Sequence, residues 1–115
     1  MKNKDKEDIK LKLAICLNKA ITSNKIIAKT NKAEGRKDPK LVTSLRQLEA
    51  ASGIDFPTIQ RISVGSKNAS FSTIVALTEG LGLSLSEFLS CYPVITAEEL
   101  NAVRRKKNQS KNSKS

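Results

Sequence analysis

Ser44-Leu-Arg-Gln-Leu-Glu-Ala-Ala-Ser-Gly-Ile-Asp-Phe-Pro-Thr-Ile-Gln-Arg-Ile62 is the stretch that decides the fold. It reads as two short helices joined by a tight turn. Ser44 stands three residues before Gln47, the spacing of a reciprocal helix cap. Leu45 and Leu48 supply the inward face of this helix, and Gly53 ends it. Asp55 caps the next helix, and Pro57 falls in its first turn, where a missing N–H costs little. Ile54 is expected to be buried, pinning the crossing of the two helices. Ile59 and Ile62, three apart, face inward. Thr58, Gln60, Arg61 and Ser63 form the outward polar face, and Gly65 stops the helix.

Upstream, residues 5–23 repeat apolar side chains at helical spacing: Ile9, Leu13, Cys16, Leu17, Ala20 and Ile21, with Leu11 and Ile15 widening the face. The pattern then fades, and Gly35 and Asp38-Pro39 are breakers. Residues 24–43 therefore read as a long connection, which is either functional or disordered. Downstream, Ser70 caps a fourth helix with Phe71, Ile74, Leu77 and Leu81 on one face, ended by Gly80 and Gly82. Ser84 with Glu87 opens a fifth, with Leu85, Phe88 and Leu89. Pro93 stops it. Thr96 with Glu99 caps a short sixth helix through Val103. Arg104-Arg-Lys-Lys107 and a Ser/Asn/Lys tail follow, read as disordered.

The chain has 115 residues, which suits one domain plus tails. Aromatics make up 3% and Trp is absent, so the core is aliphatic. Scarce Gly and Pro with frequently interrupted apolar runs indicate an all-α protein. There is no His, no nucleophile beside a visible base, no glycine-rich phosphate loop and no metal-ligand spacing. No catalytic residue, no metal site and no cofactor is expected. Cys16 and Cys91 lie in apolar helical patterns and read as buried, reduced thiols. Lys12 interrupts the apolar stretch near the N-terminus, and Asp5, Glu7 and Asp8 precede it, unlike a secretory leader. No apolar run approaches a membrane span. A cytoplasmic protein with no membrane partner is the expectation.

Net charge is +10, a balance that favours polyanionic partners such as nucleic acid or an anionic membrane face. Its distribution is uneven. Residues 1–40 hold 12 basic and 5 acidic side chains, residues 41–92 hold 3 and 4, and residues 93–115 hold 6 and 2. The central helix pair is thus nearly neutral, and basic segments flank it.

The central segment resembles the Xre/Cro-like (phage repressor-type) helix-turn-helix family. Gly65-Ser-Lys-Asn-Ala-Ser-Phe-Ser-Thr-Ile74 is similar to its glycine and basic-loop entry to the fourth helix. Thr78-Glu-Gly-Leu-Gly-Leu-Ser-Leu-Ser-Glu-Phe88 is similar to its closing Leu-Gly-hydrophobic pattern. The match covers about residues 41–90. It implies a five-helix repressor-like DNA-binding domain over residues 1–92, with a long helix 1–helix 2 connection. Residues 93–115 are then a short helix and a basic C-terminal tail.

The implied function is a DNA-binding transcription regulator, a repressor reading the major groove with helix 56–64. Arg61 is the first candidate for a base-edge contact, as a guanine reader, with Gln60 and Thr58 beside it. Ser44 and Arg46 are candidates for holding a phosphate at a helix N-terminus. Ser66, Lys67 and Asn68 are candidates for backbone contact. The basic flanks supply phosphate affinity and the core supplies base reading. Double-stranded DNA and a second copy of the chain, in a homodimer, are the implied partners. Helix five with Tyr92, Val94 and Ile95 is the candidate dimer contact. The alternative is an antitoxin-like interaction module that binds a protein partner and its own operator.

Three departures from the family stand out. Glu49 occupies a position where the family has a small residue; it can lean outward or pair with Arg46. Phe56 and Pro57 replace polar residues at the start of the second helix. Phe56 can contact a thymine methyl or serve structure. The long 24–43 connection is the third.

Overall fold

Hydroxyl and carboxylate caps begin the helices where the sequence places them. Ser44, Asp55, Ser70 and Ser84 each accept a hydrogen bond from the backbone N–H three residues on. Ser84 and Glu87 cap each other, as do Thr96 and Glu99. At Ser44 only the reciprocal half of the cap is displaced. The Gln47 side chain accepts from the N–H and hydroxyl of Thr43, at 2.7 and 2.9 Å, one residue before Ser44.

The computed structural model describes residues 3–36 and 41–112. Among these the chain forms α1 (Asn3–Ala33), α2 (Leu45–Ser52), α3 (Phe56–Ser63), α4 (Phe71–Gly80), α5 (Leu85–Leu89), a 3-10 turn (Tyr92–Val94) and α6 (Ala97–Asn112), with no strand. The protein is all-α, as expected.

The core is aliphatic but for Phe88. Leu13, Cys16, Leu17 and Ile21 of α1 meet Leu48 of α2, Ile59 and Ile62 of α3, Leu77 of α4, Leu81 and Phe88. Each fully buried Leu or Ile here contributes about 1.5–3 kcal/mol through removal from water. α1 packs against α3, α5 and α6, while α2 packs against α3 and α4. Ile54 in the turn is half-buried against this cluster. Phe71, expected on the inward face of α4, is 68% exposed. It occupies the first position of α4, beyond the reach of the core.

Two elements differ from the sequence reading. The first helix runs ten residues beyond 23, to Ala33, so the connection to α2 is residues 34–44, about half the twenty expected. No Gly or Pro interrupts residues 24–33, and backbone bonding continues although the apolar period has ended. Gly35 stops the helix with a left-handed φ of +76°; its N–H reaches Lys32 O, and Arg36 N–H reaches Asn31 O. Asp38-Pro39 lies outside the described residues.

The basic tail is the second difference. It is helical to Asn112, not disordered after Val103. α6 runs antiparallel to α1 and is held there by ion pairs. Lys19 meets Glu99 at 2.6 Å, Arg104 pairs with Asp8, and Lys107 pairs with Glu7. Lys107 also donates to Gly65 O at 2.9 Å, tying α6 to the end of α3. These partners stand up to 100 residues apart, so no local pattern announces them.

Cys16 and Cys91 are both free; Cys16 is buried and Cys91 half-buried. Their thiols are hydrogen-bonding neighbours although the sequence separates them widely. No single helix among the described residues is long and apolar enough to cross a membrane.

Candidate nucleic-acid interface

The turn between α2 and α3 is fixed from both sides. Gly53 donates its N–H to Glu49 O, closing α2. Glu49 then turns its carboxylate to the start of α3, where Oε2 accepts from Phe56 N–H at 2.7 Å. Its other oxygen lies 3.7 Å from the Arg46 guanidinium. Arg46 in turn stacks on the Phe56 ring, 3.8 Å from its centroid. Such stacking contributes about 0.5–1 kcal/mol at an exposed site. Glu49 thus does both things that a carboxylate here can do: it pairs with Arg46, as anticipated, and it caps α3. The capping role escaped the sequence reading, because it joins residues seven apart across a turn.

Asp55 completes the start of α3. Its Oδ2 accepts from Thr58 N–H at 3.2 Å, and both its oxygens lie 2.9 Å from the Thr58 hydroxyl. The Thr58 hydroxyl and then its N–H hold the Asp55 carboxyl below its ordinary range, with Lys67 adding a smaller charge effect. Two carboxylates therefore occupy the N-terminus of α3. That end offers no open seat for a phosphate, and the Thr58 side chain is committed to the cap.

The outward face of α3 carries Gln60 and Arg61, both exposed. Neither side chain has a hydrogen-bond or ion-pair partner among the described residues. Ser63, expected on this face, is instead buried: its hydroxyl donates to Gln60 O at 2.7 Å, and its carbonyl accepts from Asn18 Nδ2 at 2.9 Å. In the loop that follows, the N–H and hydroxyl of Ser66 both bond Arg61 O, at 3.0 and 3.1 Å. Ser66 is thus a turn residue. Lys67 and Asn68 are exposed. Ser44 caps α2 through Gln47 N–H at 3.1 Å.

The nine candidate residues fall into four groups. Arg46 and Phe56 form a stacked pair beside the α2–α3 turn. Gln60 and Arg61 stand free on α3. Ser44, Thr58 and Ser66 are occupied with caps and turns, leaving Lys67 and Asn68 as the exposed part of the loop. The 104–107 cluster also divides: Arg104 and Lys107 are paired with α1, while Arg105 and Lys106 are exposed. Two shallow clefts of about 510 and 410 Å³ lie along α1, and no residue of α2 or α3 lines either.

Two short packed helices joined by a tight turn, the second with an unpartnered polar face, are the arrangement that presents a helix to the major groove of DNA. Comparison with known proteins agrees with it. A model of the helix-turn-helix family matches residues 34–88, which span α2 to α5. No curated protein and no solved structure matches the chain. Residues 34–88 are thus a helix-turn-helix segment of the Xre/Cro-like family, a family of DNA-binding transcription regulators.

Proposed function

We propose that this protein is a sequence-specific transcription regulator that acts as a repressor, reading the major groove with residues 56–64. The observation that carries this reading is the pair Gln60 and Arg61. Both are exposed on α3 and unpartnered, between an end closed by two carboxylates and a turn closed by Ser66. An Arg can bond both acceptors of a guanine edge, and a Gln suits adenine. Arg46, spread on the Phe56 ring, stands as a phosphate contact beside them. Residues 1–92 form the DNA-binding unit and 93–115 an appended segment. Two copies pair, so that two α3 helices read half-sites one helical turn apart.

Selection of bound sequences from a random duplex library, with the full chain at near-physiological salt, tests this reading. A recovered consensus with inverted symmetry supports it; recovery of unbiased sequence overturns it. Arg61→Ala is expected to cost about 1–3 kcal/mol at the selected site and to relax preference at one base position. Lys67→Ala is expected to weaken all sequences alike.

A second reading is a module that binds a protein partner, as antitoxins do. It is supported by the exposure of Ile26 and Ile27, 61% and 48%, on the part of α1 that extends past the core. A stable complex with the product of a neighbouring gene, formed without DNA, is its test.

A further inference from the structure

The extension of α1 past the core carries lysines on one side only. After Asn24, whose Nδ2 donates to Val42 O at 2.8 Å, nine more residues of helix reach Ala33. That is about 14 Å of helix beyond the last buried anchor. Lys25, Lys29 and Lys32 are exposed there at spacings of four and three, within an arc of about 60°. No Asp or Glu occurs between Ile9 and Ala33.

These lysines differ from the cations nearer the core. Lys10, Lys19, Arg104 and Lys107 each pair with a carboxylate, whereas Lys25, Lys29 and Lys32 have no ion-pair partner among the described residues. Favourable interaction with the helix dipole explains a cation in the last turn, such as Lys32, but not Lys25 two turns earlier.

The direction of the stripe is fixed by the same helical geometry. Residues seven and fourteen positions before Lys25, namely Asn18 and Leu11, share its side of α1. Asn18 bonds Ser63 O at the end of α3, and Leu11 packs against Gly65 just beyond it. The side of α1 that faces α3 therefore continues past the core as the lysine stripe. α3 turns Ile59 and Ile62 inward and Gln60 and Arg61 outward, so a duplex read by α3 lies on that same side. Ile26 and Ile27 point elsewhere, into the clefts against α6 and α5.

We propose that the C-terminal half of α1 is a second DNA-contacting element, in which Lys25, Lys29 and Lys32 bind backbone phosphates flanking the site read by α3. This rests on the DNA-binding reading above. It assigns the near-neutral central unit a phosphate clamp from outside the helix-turn-helix.

The test uses the full-length protein and its selected duplex. Affinity is measured across a salt series for wild type, for the Lys25→Gln/Lys29→Gln/Lys32→Gln triple variant and for the corresponding triple Arg variant. Each phosphate contact contributes about 0.9 to the log–log salt slope. The Gln variant is expected to lose about 2–3 from that slope per protomer. It should also lose flanking protection in a hydroxyl-radical footprint while recovering the same consensus in selection. The Arg variant is expected to keep the wild-type slope. An unchanged slope and footprint in a folded Gln variant overturns the inference and leaves the major-groove reading intact. A change of consensus also overturns it, because the stripe would then act through α3. Failure of the wild-type protein to bind any duplex overturns both readings together, and capture of an acidic protein by the stripe in that case identifies the replacement.

Discussion

Gly65 is where two demands meet on one residue. Its φ is +77°, and a Cβ placed on it would lie 2.8 Å from Leu11 Cδ2, a side chain buried in α1. Gly65→Ala is expected to destabilise by roughly 2–4 kcal/mol, from the left-handed backbone and the clash together. Gly35→Ala shares the φ but meets open space, so roughly 1–2 kcal/mol is expected; urea midpoints of the two variants check the difference. Glu49→Ala removes the cap on Phe56 N–H and should cost about 0.5–2 kcal/mol in the same assay. The cysteines give a chemical test. Burial, then the hydrogen bond with Cys91, push the Cys16 thiol up to about 12. Iodoacetamide at pH 8 is expected to label half-buried Cys91 in the native protein and to reach Cys16 only in denaturant, as read by peptide mass mapping. The residues whose roles were legible in the sequence are those acting within one helical turn: Ser44, Asp55, Ser70 and Ser84. Glu49 was half-legible, since its pairing with Arg46 is local and its capping of α3 is not.

Helix starts govern how the elements respond to acid. The Asp55 carboxyl is lowered by Thr58, that of Glu87 by the N–H and hydroxyl of Ser84, and that of Glu99 first by Lys19 and then by Thr96. A carboxyl lowered on folding stabilises fully above its unfolded value, about 4, and loses that contribution as pH falls through the lower folded value. The melting temperature is therefore expected to drop progressively below pH about 4, and less steeply in Glu99→Gln, as followed by circular dichroism. Lys19 carries the opposite sign. Its pair with Glu99 raises it, so its contribution is complete below its ordinary value and disappears as pH rises beyond it. α6 shows why helix ends are harder to read than helix starts. Its N-terminal cap is local, whereas its persistence to Asn112 accompanies the contacts of Arg104 and Lys107 with Asp8, Glu7 and Gly65 O. α1 shows the complementary case: exposed Ile26 and Ile27 break the apolar period, yet the helix continues until Gly35.

At the scale of the molecule, a helix of 31 residues, about 46 Å long, sets the long axis of a body measuring 47 × 29 × 28 Å. The charge layout follows this shape, with a near-neutral reading unit flanked by the cationic extension of α1 and the exposed Arg105 and Lys106 of α6. Pairing of two such bodies is expected from the proposed operator geometry. Of the candidate contact residues, Tyr92 and Ile95 pack on the core, whereas Val94 is 67% exposed. Val94→Asp should halve the mass seen in sedimentation equilibrium if that surface joins the copies; an unchanged mass places the contact elsewhere. The sequence by itself determined the helix starts, the aliphatic core, the α2–α3 turn and the exposure of Gln60 and Arg61. Each of these follows from interactions within a turn or from a period of 3.6 residues. Only the tertiary structure decided that Ser63 is buried with its carbonyl bonded to Asn18, that Cys16 meets Cys91, that α6 lies along α1, and which cations remain unpaired. Those outcomes join residues 45 to 100 positions apart, and such contacts depend on how helices pack, which residue spacing along the chain does not encode.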